Sequence, residues 1–141
     1  MFSLEKSIYI EAGKKKVFDA LTQPKWIKMW TGDDVEMDLS PGGHFALWGG
    51  SIIGINRLIS EDRIEQDWKE EQWPKFSKVI LTLEEDENGF TTLVLKHDNI
   101  PEKALQAIDL GWDDYYFGPL KEVCENEFYN TNDEYDYEED E

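Results

Sequence analysis

Ile108, Trp112, Tyr116 and Leu120 recur at four-residue spacing, and Val123 closes the series. That spacing lines one face of an α-helix with large apolar side chains, while Asp113, Asp114 and Lys121 fall elsewhere around the axis. So much aromatic area on one face requires a concave apolar partner. The segments upstream read as β-strands, and a curved sheet wrapped around the helix supplies that partner.

The strand signals come in order. Ile8 and Ile10 alternate within Leu4 to Glu11. Lys14 to Leu21 then reads as a helix with Val17, Phe18 and Leu21 on one face, and Pro24 suits the first turn of a second, carrying Trp26 and Trp30. Strands are expected over 35–39, 44–48, 52–60, 64–70 and 78–84, with Pro41-Gly42-Gly43 and Gly49-Gly50 as tight turns. Asn88-Gly89 stands between Val79, Leu81, Leu83 and Leu93, Leu95, a strong hairpin signal. A long helix is expected from about Glu102, and Gly118-Pro119 must bend it or start a new turn. The order is one strand, two helices, about six strands and one helix. Consecutive strands between helices predict an α+β fold with an antiparallel sheet.

The 141 residues suffice for one domain, expected over 1–125. From 126 to 141 the composition turns to Asn, Thr, Tyr, Asp and Glu, and this acidic tail is expected to be disordered. The chain holds 32 acidic against 14 basic residues, a net charge of −18. Without the eight acidic residues of the tail the body still stands at 24 against 14, or −10. Such a charge repels phosphate backbones and anionic lipid, so neither nucleic acid nor membrane is an expected partner. No apolar run approaches the roughly 20 residues of a membrane span, and the N-terminus does not read as a signal peptide. The expected compartment is the cytoplasm. Cys124 is the single cysteine, so packing alone holds the framework.

Catalytic and metal signatures are weak. Two histidines, His44 and His97, and one thiol give no zinc spacing. Glu84-x-Asp86-x-Asn88-Gly89 imitates a calcium loop, but its twelfth position is Leu95, and a hairpin turn explains the residues better. Glu122 and Glu125 beside Cys124 disfavour a thiolate, so that cysteine reads as a packed thiol. No phosphate-binding glycine loop or nucleophile elbow is present. No cofactor is implied, and the chain does not read as an enzyme.

The tryptophans remain. Trp26, Trp30, Trp48, Trp68 and Trp112, with Tyr116, are candidates to line a ligand cavity between sheet and helix or to fill the core. Trp73-Pro74 lies among Glu70, Glu71, Gln72 and Lys75. Trp73 is expected to be the most exposed of the six, which makes Trp73 and Pro74 a candidate partner contact. A buried anchor for the loop is the alternative for Trp73.

Pro41-Gly42-Gly43-His44-Phe45, Gly54, Trp68, Trp73-Pro74, Asn99-Ile100-Pro101 and Gly111-Trp112-x-x-Tyr115-Tyr116-Phe117 occur in an order that resembles the activator of heat-shock protein 90 ATPase family, in particular the C-terminal domain of that co-chaperone. The resemblance covers about residues 4–125 and implies a helix-grip fold of the START-like group, related members of which can enclose an apolar cavity. It also implies a monomeric co-chaperone that binds heat-shock protein 90 and favours its closed, ATPase-competent dimer. The alternative function is a carrier or sensor of a small apolar ligand. The full co-chaperone carries a preceding module that grips the chaperone, and nothing in the 141 residues corresponds to it. A lone module is therefore expected to bind and stimulate more weakly, since linked modules gain through effective concentration.

Overall fold

A computed structural model describes residues 2–126. The tail expected to be disordered lies, but for Asn126, outside the described residues.

A seven-stranded antiparallel sheet runs β1-β7-β6-β5-β4-β3-β2. β1 (Phe2–Ile10) lies at one edge, paired with the last strand. Two helices, α1 (Lys14–Thr22) and α2 (Pro24–Thr31), carry the chain to the opposite edge. From there β2 (Glu36–Met37), β3 (His44–Leu47), β4 (Ile52–Ile59), β5 (Arg63–Glu70), β6 (Ser77–Glu85) and β7 (Thr91–Ile100) return as a meander. One strand, two helices and six strands match the expected order. The Asn88-Gly89 hairpin joins β6 to β7, with Gly89 at φ 81. Its calcium-like residues serve the turn: Asp86 Oδ1 accepts from the backbone N–H of Asn88 and of Phe90, and Asp86 Oδ2 accepts from the Tyr9 hydroxyl.

Strand alternation sets the inner face. Val79, Leu81 and Leu83 on β6 and Leu93, Leu95 and His97 on β7 are all buried, and Ile64, Gln66 and Trp68 continue the layer on β5. Gly54 on β4 marks a close approach. A Cβ there would overlap the Phe45 ring and the Asp67 carbonyl, so only glycine lets that ring approach the strand so closely.

The sheet grips a composite C-terminal helix. It opens with a 3-10 turn (Glu102–Ala104), continues as α3 (Leu105–Gly111), widens into a π-helical turn (Trp112–Phe117) and closes as α4 (Gly118–Glu125). The whole stripe of Ile108, Trp112, Tyr116, Leu120 and Val123 is buried. The wide turn answers the question posed by Pro119. In a regular helix its ring would press on the carbonyl of Tyr115. Instead Gly118 N–H reaches back to Asp113 O, five residues earlier, and the ladder loosens just ahead of the proline. A new α-helical segment, α4, then starts at Gly118 with Pro119 in its first turn, one of the two outcomes expected there.

Candidate functional site: an aromatic cavity between helix and sheet

The wide turn presents Trp112, Tyr115 and Tyr116 toward the strand ends of β4 and β5. With Trp48, Ser51, Ile52, Trp68, Glu70, Ala107, Ile108 and Gly111 they enclose a cavity of about 410 Å³. Tyr115 stands at the mouth and is 66% exposed. Among the described residues Glu70 is the only charged side chain of the lining, and neither Lys nor Arg contributes to it.

Trp48 comes from an unusual backbone position. It leaves β3 at φ 52, followed by Gly49 at φ 67 and Gly50 at φ 104. A tryptophan in the left-handed region is strained by roughly 1–2 kcal/mol, so neighbouring contacts must hold it. Its ring meets Trp30 edge-on at 6.2 Å and Tyr116 at 6.2 Å. The strand expected over 44–48 ends at Leu47, because two following glycines favour the turn.

Of the six candidates for cavity or core, Trp48, Trp68, Trp112 and Tyr116 line the cavity. Trp26 and Trp30 do not. Trp26 is fully packed in the core below, and Trp30 stands one layer behind the wall, 4.6 Å from the Tyr116 ring, with its indole N–H donating to Ala20 O at 2.7 Å. Trp73 departs from the exposure expected of it. It is only 5% exposed, folded back over the end of β5 to meet Trp68 at 6.2 Å, while Pro74 and Phe76 remain on the surface. Polar neighbours in sequence did not keep it out, since its backbone N–H bonds Glu70 O and Lys69 Nζ holds its carbonyl at 3.0 Å, closing the loop inward.

Behind the wall lies a polar chain that no local sequence motif announces. Trp112 Nε1–H donates to His97 Nδ1 at 3.0 Å. An indole nitrogen is a donor only, so Nδ1 is the acceptor and the neutral imidazole carries its proton on Nε2. That N–H donates to Ser77 Oγ at 2.8 Å, and the Ser77 hydroxyl donates onward to the Trp68 carbonyl. Burial pushes the His97 pKa down to about 3, with nearby Asp98 pulling weakly the other way. The one available signal was phase: His97 follows Leu93 and Leu95 on the inward side of β7. His44, by contrast, is exposed.

Trp68 packs between His97 at 4.8 Å and Trp112 at 5.5 Å, nearly parallel to the latter. Its indole nitrogen is buried and makes no hydrogen bond, alone in that respect among the described residues. Cys124 lies buried on α4, and desolvation pushes its thiol up to about 12, a poor nucleophile. Burial likewise raises the Tyr116 phenol. Among the described residues, no group of three or more His, Cys, Asp or Glu could hold a metal ion, and no helix is long and apolar enough to cross a membrane.

An antiparallel sheet closed around one C-terminal helix, with a cavity between them, defines a helix-grip protein of mixed α+β class. Residues 11–125 match the family described as activator of Hsp90 ATPase homolog 1-like protein. The chain belongs to that family. It is 26% identical to the human activator of 90 kDa heat shock protein ATPase homolog 1 over 112 residues, which are 77% of this chain and 33% of that protein. The corresponding activator homolog of Dictyostelium discoideum is 29% identical over 98 residues, 67% of this chain and 26% of that one. The chain thus spans about a third or less of these curated relatives. A crystal structure of an HSP90 activator from Plasmodium falciparum superposes with a TM-score of 0.82 at 25% identity, covering 87% of this chain and 96% of the other.

Proposed function

We propose that this chain is a co-chaperone that binds heat-shock protein 90 and raises its ATPase rate by favouring the closed dimer. The family match across residues 11–125 carries the reading. The activity needs no chemistry from the co-chaperone. A ligand shifts a two-state equilibrium as far as it prefers one state, so differential affinity for the closed form suffices. Heat-shock protein 90 is the partner and the cytoplasm the working compartment in this reading. Pro74, with its exposed neighbour Phe76, is the surface left to the contact proposed for the Trp73-Pro74 loop.

The test is a titration into purified chaperone, with an inhibitor-treated control subtracted. Stimulation that saturates as the protein is added supports the reading. Neither binding nor stimulation at about millimolar protein would sink it.

A second reading, a carrier or sensor of a small apolar ligand, is favoured by the cavity itself. At about 410 Å³ it falls within the size range of small-molecule sites and is lined chiefly by rings. Native mass spectrometry of protein purified from cells tests this reading, through a bound small molecule that denaturation releases.

A further inference from the structure

The cavity that supports the ligand-carrier reading also has an electrostatic sign. Five of its lining side chains are aromatic: Trp48, Trp68, Trp112, Tyr115 and Tyr116. Ring faces carry negative potential and attract cations, most strongly for tryptophan. The two inner indoles offer little to an anion or a carbonyl. The N–H of Trp112 is engaged by His97, and that of Trp68 is sealed from solvent. Both therefore contribute ring carbon to the wall.

Among the described residues Glu70 adds the only formal charge of the lining, and it is negative. It sits half-buried at the end of β5 and accepts from Gln72 Nε2 at 2.7 Å. Among the described residues no salt bridge neutralises it. The net charge of −18 adds a long-range field that draws cations to the surface and repels anions.

We propose that the cavity is a site for a free small organic cation, an alkylated ammonium held by the rings of Trp48, Trp112, Tyr115 and Tyr116 with Glu70 as counter-charge. This rests on the ligand-carrier reading and narrows it from apolar molecules in general to cations with an apolar body. The backbone agrees with the assignment. Trp48 is held in the left-handed region and Tyr115 is carried out to the mouth by the π-helical turn, and both departures from regular structure deliver rings to the same opening.

A matched pair of probes tests the sign of the site. The meta-hydroxyphenyl-trimethylammonium ion and meta-tert-butylphenol have nearly the same shape and differ in charge. Each is titrated into the full chain while the indole N–H resonances are followed by heteronuclear NMR. The cation is expected to bind about tenfold more tightly than the phenol, with an affinity that falls as salt rises. Glu70→Gln should weaken the cation by about tenfold and leave the phenol unchanged. Tyr115→Leu, at an exposed position, should weaken the cation by about threefold without disturbing the fold.

Equal or tighter binding of the phenol would overturn the cation assignment and leave the apolar-carrier reading standing. A Glu70→Gln variant that binds the cation as well as wild type would also overturn it. Failure of both probes to bind at about millimolar concentration would remove the cation proposal and the carrier reading together, leaving the co-chaperone reading untouched.

Discussion

Trp112 on the C-terminal helix donates its indole N–H to His97 Nδ1 on β7, 3.0 Å away, and that one bond decides which nitrogen of the buried imidazole holds the proton. Protonating His97 would set a second N–H against the indole donor. The helix and sheet are therefore joined by a contact that tolerates only the neutral ring.

The first expectation concerns pH. The His97 pKa falls from 6.5 to about 3 on folding, so the folded state binds fewer protons than the unfolded chain between those values. Stability from this group is fully present above about pH 6.5 and is lost as pH falls, by up to about 1.4 kcal/mol per unit. Carboxylates held low in the fold, such as Asp38 and Asp86, add their own loss at lower pH. Urea unfolding of wild type and His97→Gln between about pH 7 and about pH 4 isolates the imidazole, and the wild-type slope should be the steeper. Equal slopes would mean that His97 protonates freely in the fold.

Trp112 should separate volume from hydrogen bonding. Trp112→Ala is expected to cost about 3–5 kcal/mol as a large aromatic removed from the core. Trp112→Phe keeps most of the ring contacts with Trp68 and Tyr116 but leaves Nδ1 of His97 without its donor, for about 1–3 kcal/mol. Denaturant melts give both values. A loss below about 1 kcal/mol for the alanine variant would be incompatible with a gripped helix.

At Gly54 the expected damage comes from one added methyl. Gly54→Ala forces a Cβ into the Phe45 ring and a backbone carbonyl. The ring can yield but the carbonyl cannot do so without shifting β5, so a loss of about 1–3 kcal/mol is expected. An unchanged melting temperature would show that β4 and β5 separate easily.

In the loop after β5, burial divides two neighbours. Trp73→Ala should destabilise by about 3–5 kcal/mol, because the ring is packed on Trp68. Phe76→Ala, at the surface, should change stability by less than about 0.5 kcal/mol while reducing stimulation of the chaperone ATPase if this loop makes the contact. Full stimulation by Phe76→Ala would clear that side chain of a role.

Local pattern carried much of the fold. Alternation placed the strands within a few residues, Asn88-Gly89 announced the β6–β7 hairpin, and the spacing from Ile108 to Val123 identified the gripped face. Tertiary closure decided the rest. Trp73 looks exposed among Glu71, Gln72 and Lys75, and only the path of the loop over β5 turns it inward. The cavity is equally non-local: Trp48, Trp68 and Trp112 meet because three distant segments end at one corner of the sheet. Nothing in the immediate sequence of Trp26 or Trp30 distinguishes them from the true lining residues.

The π-helical turn also settles an arithmetic conflict between side-chain spacing and helix pitch. An ordinary helix completes a turn in 3.6 residues, so a row placed every fourth residue creeps steadily around the axis. Over the three steps from Ile108 to Leu120 that creep amounts to about a third of a revolution, enough to carry the far end of the row off the sheet. The wider loop between Trp112 and Phe117 turns less per residue and winds the row back. It works as a leap day works in a calendar: one irregular interval keeps two incommensurate periods aligned, and Ile108 and Leu120 remain buried together.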